Sequence, residues 1–337
     1  MIAPLAKAMD WLAIQLVWGR RAASLLKLGA NPRLEEAIQF LKGPDFIPAE
    51  SQPAQLQFKP NKSGRHFSFP TPRPSPFAEN NTVYGRLDRC TKDWRKRPAV
   101  ILLHGAGGAD YHLEFPFMAR RCNRAGFNAA TLLAPFQFQR RPRQLAGVRW
   151  PDHLLDAEIG YAQAIAEIRA LIGWLLAEGC RSVALWGNSY GGALAGLIAC
   201  HDARLSAAAL AAPGLDWNVF LSAAKQIVLP SLRKELLSQR PACEALNQTA
   251  LNLVTLRPCI PEDRVLLIEA IYDLFVDSES METLWQAWGQ PDIWRLRHSH
   301  ASKILSFGLT NRVLRWLAPR LEAGRKTTHD CALGKLH

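Results

Sequence analysis

Residues 183–193 read Val183-Ala184-Leu185-Trp186-Gly187-Asn188-Ser189-Tyr190-Gly191-Gly192-Ala193. A continuous apolar run, Val183 to Trp186, enters a G-x-S-x-G pentapeptide, and a run of small, helix-forming residues from Ala193 to Cys200 leaves it. A strand that turns into a helix this abruptly brings the backbone two residues before the serine against the backbone two residues after it. Glycine alone leaves room for that approach, and Gly187 and Gly191 occupy both places. The pattern is a nucleophile elbow, with the Ser189 hydroxyl exposed on a strained turn and the N-terminus of the next helix aimed at it. The plain alternative is a glycine-serine turn without chemistry.

Upstream, Pro98-Ala99-Val100-Ile101-Leu102-Leu103-His104-Gly105-Ala106-Gly107-Gly108 forms a second landmark. Five consecutive apolar residues, Ala99 to Leu103, predict a strand covered on both faces, hence one inside a parallel sheet. The glycine-rich loop behind it lets backbone N–H groups approach a ligand. It is the candidate source of one oxyanion donor, Ala106 or alternatively Gly107, and the N–H of Tyr190 is the candidate for the other. His104 reads as a residue that organises this loop by hydrogen bonding.

The HGAGG loop after one buried strand and GNSYGG after another resemble the α/β-hydrolase superfamily, and the order of elements from about 80 to 320 is similar throughout. Within it the spacing looks more like the esterase and dienelactone-hydrolase-like branches than a lipase or peptidase. The resemblance implies an α/β fold, with a mostly parallel central sheet, helices on both faces and a helical cap insertion. It also implies an acid and then a histidine following Ser189 along the chain.

Residues 264–270 form another buried run, and functional groups in parallel α/β sheets project from the carboxyl ends of strands. Asp273, three residues beyond, is therefore the candidate acid. Asp277 sits where a helix N-cap is expected, and Glu269 and Asp216 are the remaining alternatives. The base comes from Arg297-His298-Ser299-His300-Ala301-Ser302, which runs from a last strand into a terminal helix. In the superfamily a small residue, usually glycine, precedes the catalytic histidine; Ser299 holds that place before His300, and His298 is the alternative.

Composition agrees with a globular enzyme. The 337 residues are 48% hydrophobic and 21% charged. Seven cysteines are scattered without C-x-x-C spacing, so neither a disulfide framework nor a zinc site is indicated, and no cofactor or metal is expected. Residues 1–45 form a helical segment with an apolar stripe at Ile2, Leu5, Met9, Leu12, Leu16, Ala23 and Leu26. Residues 46–320 form the catalytic domain. It opens with short antiparallel edge strands between 55 and 85, and further strands are predicted near 99–103, 127–133, 181–187, 207–211, 264–270 and 292–297. An insertion at 214–262, rich in Trp217, Phe220, Leu221 and other large apolar residues, reads as a cap over the active site, with an ordinary pair of helices flanking the sheet as the plain alternative, and 321–337 reads as a basic tail.

The apolar run Trp11 to Trp18 is too short to span a bilayer and lacks the features of a secretory signal, which suggests a cytoplasmic protein. Its tryptophans and following arginines suit peripheral membrane contact, whereas packing of the stripe on the domain is the plain alternative. The net charge is +12, of which residues 1–97 carry +8, from 16 basic against 8 acidic residues. Arg140, Arg141 and Arg143 follow a predicted strand and, with Trp217, are candidate contacts for an anionic amphiphile; no nucleic-acid-binding pattern accompanies the charge. The function expected is hydrolysis of an ester or thioester, small or lipid-like. An acyltransferase using the same residues and a non-catalytic binding protein of this fold are the alternatives.

Overall fold

The computed structural model describes residues 2–25, 34–48, 51–60, 65–106, 111–112, 114–143, 154–214, 216–306 and 308–323. Nine strands form one sheet in the order β1-β2-β3-β5-β4-β6-β7-β8-β9. The edge strands β1 (Gln57–Phe58), β2 (His66–Pro70) and β3 (Thr82–Asp88) pair antiparallel, and β3 joins β5 antiparallel. From β5 (Asn128–Leu132) onward, β4 (Ala99–Leu103), β6 (Val183–Asn188), β7 (Ala207–Ala211), β8 (Val265–Ala270) and β9 (Asp292–Leu296) are all parallel. Six predicted strands of the body are thus present, with ends shifted by a residue or two.

The continuous apolar runs are explained by burial on both faces. Ile101, Leu103, Leu185, Ala208, Leu210 and Leu267 point into one core, and their neighbours Val100, Leu102, Ala184, Ala209 and Leu266 point into the other. Successive side chains of a strand alternate sides, so a strand sandwiched between helices has no polar positions to spare. The first core is closed by helices α1 (Ala3–Leu25), α2 (Leu34–Lys42), α4 (Leu154–Ala177) and α5 (Tyr190–His201), the second by α3 (Phe115–Arg124) and α10 (Leu309–Glu322).

Between β7 and β8 the insertion folds as α6 (Asn218–Lys225), α7 (Pro230–Leu237) and α8 (Arg240–Leu246), anchored to the first core by Leu221, Leu236 and Leu246. The remaining helix, α9 (Ser278–Ala287), follows β8. The C-terminal tail expected from 321 overlaps the end of α10, and residues 324–337 lie outside the described residues.

Helix α1 corrects the expected apolar stripe. Among its described side chains, Ala6, Asp10 and Ile14 are fully buried, whereas Leu5 is 55% and Leu12 52% exposed, as is 70% of Ile2 just before it. The helix docks through a small side chain, an isoleucine and a hydrogen-bonded carboxylate, a combination that an apolar-periodicity reading does not score. Leu16 and Ala23 have no described side chains, and Leu26 lies outside the described residues. No described helix is long and apolar enough to cross a membrane.

Candidate active site

Ser189 sits between β6 and α5 with φ 53° and ψ −114°, a left-handed backbone that costs a non-glycine residue on the order of 1–3 kcal/mol. The surrounding contacts enforce it. A Cβ on Gly187 would stand 1.9 Å from the Gly191 carbonyl oxygen, and one on Gly191 would stand 2.1 Å from the Leu103 carbonyl oxygen. The elbow is therefore packed backbone against backbone, both on itself and on the end of β4. Ser189 N–H donates to Ala211 O at 2.8 Å, which ties the turn to β7 as well.

Two loops at the carboxyl ends of β8 and β9 meet this serine. Ser189 Oγ lies 2.8 Å from His300 Nε2, and His300 Nδ1 lies 2.7 Å from Asp273 Oδ2. A proton on Nδ1, donated to the carboxylate, leaves Nε2 free to accept from the serine hydroxyl. The other carboxylate oxygen, Oδ1, accepts from the N–H groups of Phe275 and Val276 at 2.8 and 2.9 Å. Burial pushes the Asp273 carboxyl up. His300 by charge and hydrogen bond, the Lys303 ammonium and the Val276 N–H together outweigh it and hold the group below its ordinary value.

A carboxyl group whose folded pKa is lowered stabilises the fold fully above its unfolded value, about 3.9, and loses that contribution as pH falls through the folded one. The stability advantage of wild type over Asp273→Asn should therefore shrink on acidification below about pH 4. Urea midpoints measured across that range test it, and an advantage that grows in acid contradicts it.

The alternatives to Asp273 and His300 are engaged elsewhere. Asp277 caps α9, accepting from Ser280 N–H at 2.8 Å. Glu269 pairs with Arg295 at 2.9 Å. Asp216 accepts from the backbone and side-chain amides of Asn218. His298 Nδ1 lies 3.5 Å from Ser302 Oγ, away from Ser189.

On the opposite side of Ser189, the β4 loop closes against the elbow: a Cβ placed on Gly105 would lie 3.5 Å from that of Ser189. Ala106 follows directly and is exposed, and Tyr190 begins α5. Gly107 lies outside the described residues. His104 is buried; Ala134 N–H donates to its Nε2 at 3.0 Å, so Nδ1 carries the proton toward Gly105 O at 2.8 Å. That bonding matches its expected loop-organising role. The Tyr190 side chain packs edge-on to Tyr161 at 4.9 Å, so only its backbone is available to the site.

The arginine cluster departs from expectation. Arg140 is fully buried, bidentate to Glu167 at 2.6 and 2.7 Å, and donates further to Leu133 O and Asn80 O. It does not face solvent. Its partner lies on α4, far along the chain, and nothing local in the sequence announces the pair. Arg141 is half-buried, Arg143 is exposed with its N–H donating to Glu79, and Trp217 is half-buried at the start of α6. Removing one member of a buried ion pair strands the other. Glu167→Ala should therefore cost about 3–5 kcal/mol, read by urea denaturation, and a loss below about 1 kcal/mol would mean that water reaches Arg140.

The fold has counterparts among solved structures. An esterase of Pyrococcus furiosus superposes with a TM-score of 0.52 at 15% identity, over 80% of this chain and 97% of its own. Est1E from Butyrivibrio proteoclasticus, with ferulic acid bound, gives 0.51 at 13% over 74% and 100%. Pyrococcus horikoshii acylaminoacyl peptidase gives 0.55 at 14% over 84% of this chain and 44% of its own. These likenesses show that the chain has the α/β-hydrolase fold.

Residues 80–222 match the model of the family described as alpha/beta hydrolase domain containing 18. That span holds the β4 loop and the elbow but ends before Asp273 and His300. An uncharacterised protein of Mycobacterium tuberculosis strain H37Rv is 26% identical over 222 residues, which make up 64% of this chain and 52% of the relative. The chain thus spans about half the length of the curated relatives it matches.

Proposed function

We propose that the protein is a serine hydrolase that cleaves a carboxylic ester or thioester through an acyl-enzyme. The observation that carries this reading is the unbroken chain Ser189 Oγ, His300 Nε2, His300 Nδ1, Asp273 Oδ2 at 2.8 and 2.7 Å on a strained, glycine-flanked turn. Ser189 Oγ attacks the acyl carbon while His300 takes its proton, Asp273 stabilises the imidazolium, and the N–H groups of Tyr190 and Ala106 receive the developing oxyanion. The same histidine then returns the proton to the leaving alcohol or thiol. Water, deprotonated by His300, releases the acid and restores the enzyme. Labelling with a fluorophosphonate and mapping the adduct tests the assignment: a single adduct on Ser189 is expected, and an adduct elsewhere or none overturns it. Transfer to an added alcohol in place of water would redefine the enzyme as an acyltransferase.

The apolar cap favours a substrate with an apolar acyl chain. With Arg140 engaged by Glu167, recognition of an anionic head group rests on Arg141 and Arg143. Rates on p-nitrophenyl esters of increasing chain length read the first feature; loss of rate with salt on an anionic amphiphile reads the second.

Peripheral contact with a membrane from the cytoplasmic side is favoured by the outward apolar face of α1. Beside Leu5 and Leu12, Val228 and Leu229 at the start of α7 are 59% and 58% exposed, and α1 packs against α7. Lys7 and Lys225 are exposed nearby in sequence, and the α1 carboxylate, Asp10, is buried. Such a surface suits an anionic lipid interface. Cosedimentation with vesicles containing phosphatidylserine should be lost in Leu5→Asp/Leu12→Asp; binding that persists in that variant contradicts the assignment.

A further inference from the structure

A carboxylate on the buried face of an amphipathic helix is costly unless its oxygens are hydrogen-bonded, because burial strips them of water. Asp10 on α1 is fully buried, and its partners are specific. Its Oδ2 accepts from the N–H groups of Leu274 at 3.0 Å and His300 at 2.9 Å, and its Oδ1 accepts from Ala301 N–H at 2.7 Å. Leu274 immediately follows the candidate acid Asp273; His300 is the candidate base. One side chain from outside the sheet thus joins the peptide groups that carry both partners of Ser189.

Other contacts hold the same loops, and Tyr272 N–H, donating to His298 O at 2.9 Å, links the two a residue before Asp273 and two before His300; Asp10 adds a link at the residues themselves. Asp273 is fixed within its own loop by Phe275 and Val276, and Lys303 donates to His300 O at 2.6 Å within the other. The 2.7 Å contact between Asp273 and His300 links two loops from different strands, and a hydrogen bond that short survives only if their separation is held. Helix α1 is in turn fixed to the cap, since Gln15 donates from Nε2 to Gln226 O at 2.9 Å and accepts from Val228 N–H at 3.3 Å.

We infer that Asp10 is a positioning residue for the reaction proposed at Ser189: it sets the spacing of the acid and base loops and so keeps His300 aligned with both Asp273 and the serine. The inference rests on the serine-hydrolase reading. It assigns the N-terminal helix a part in turnover as well as in folding. Asp10→Ala removes both acceptor oxygens and with them all three hydrogen bonds, whereas Asp10→Asn keeps one acceptor oxygen and turns an amino group toward N–H donors. A displacement of about 1 Å in a reacting group costs about 100-fold in rate, so kcat should fall about 100-fold in Asp10→Ala, with KM changed less than about threefold. Fluorophosphonate labelling of Ser189 should slow in parallel.

The control is Ile14→Ala, which weakens the packing of the same buried helix face and removes no hydrogen-bond acceptor from either loop. It should lower Tm while leaving kcat within about twofold, because it removes burial energy and no acceptor. The inference is overturned if folded Asp10→Ala keeps kcat within about threefold, if Ile14→Ala loses as much kcat as Asp10→Ala, or if both Asp10 variants fail to fold by circular dichroism, since a positioning role leaves the fold intact. Absence of labelling in wild type instead removes the serine-hydrolase reading itself. Normal wild-type labelling with an unimpaired Asp10→Ala removes only the role of Asp10.

Discussion

Ser189→Ala should lower kcat by about 10⁴-fold or more on any ester the wild type hydrolyses, with the fold retained. The expectation follows from the geometry of the elbow. Among the described residues no other hydroxyl is bonded to His300 Nε2, so under the proposed mechanism the covalent route closes and only binding and oxyanion stabilisation remain. Alanine also tolerates the turn no worse than serine, since both carry a Cβ at φ 53° and neither side chain caps α5. Steady-state rates with circular dichroism on the same sample check this. Near-full activity in the folded variant would remove Ser189 from the mechanism.

Asp273→Asn should reach a similar loss, about 10⁴-fold in kcat, by a different physical route. An asparagine retains the acceptor toward Phe275 and Val276 only by turning its amino group toward His300 Nδ1. The imidazole then carries its proton on Nε2, the nitrogen that has to accept from Ser189. The nucleophile and base remain within reach of each other, yet the base is in the wrong tautomer. The loss should therefore appear in kcat far more than in KM. A variant that loses mainly substrate affinity would mean that Asp273 shapes the pocket without orienting the histidine.

Much of this arrangement is legible in the chain because its causes are local. Gly187 and Gly191 announce the elbow since their missing side chains are the condition for Gly191 to approach Leu103 O. The parallel strands announce themselves because alternate residues such as Ile101 and Leu102 enter two different cores. Asp273 and His300 stand out by their positions just beyond β8 and β9. What stays hidden depends on partners far along the chain. Arg140 reads as one of a solvent-facing arginine group because Glu167 is the residue that buries it. Asp10 stands in the sequence just before the apolar run Trp11 to Trp18, and its phase with Ala6 and Ile14 is the one local signal that a carboxylate faces inward. The apolar stripe of α1 is legible, but its outward orientation is not, because periodicity identifies an apolar face without saying what covers it.

The bonds that reach Asp10 from His300 and Ala301 span 290 and 291 positions, and the contact of His300 with Ser189 spans 111. Contacts of such separation form late, after most of the loop-closure entropy has been spent. During synthesis the elbow and the β4 loop leave the ribosome well before residue 300, and helix α1 waits through the whole interval with its inward carboxylate unmatched. A stalled or prematurely terminated chain can therefore carry a complete elbow and still lack the imidazole that would activate it. Under the serine-hydrolase reading, the nucleophile is thus synthesised long before the base that would activate it, which arrives with the last strand and its loop.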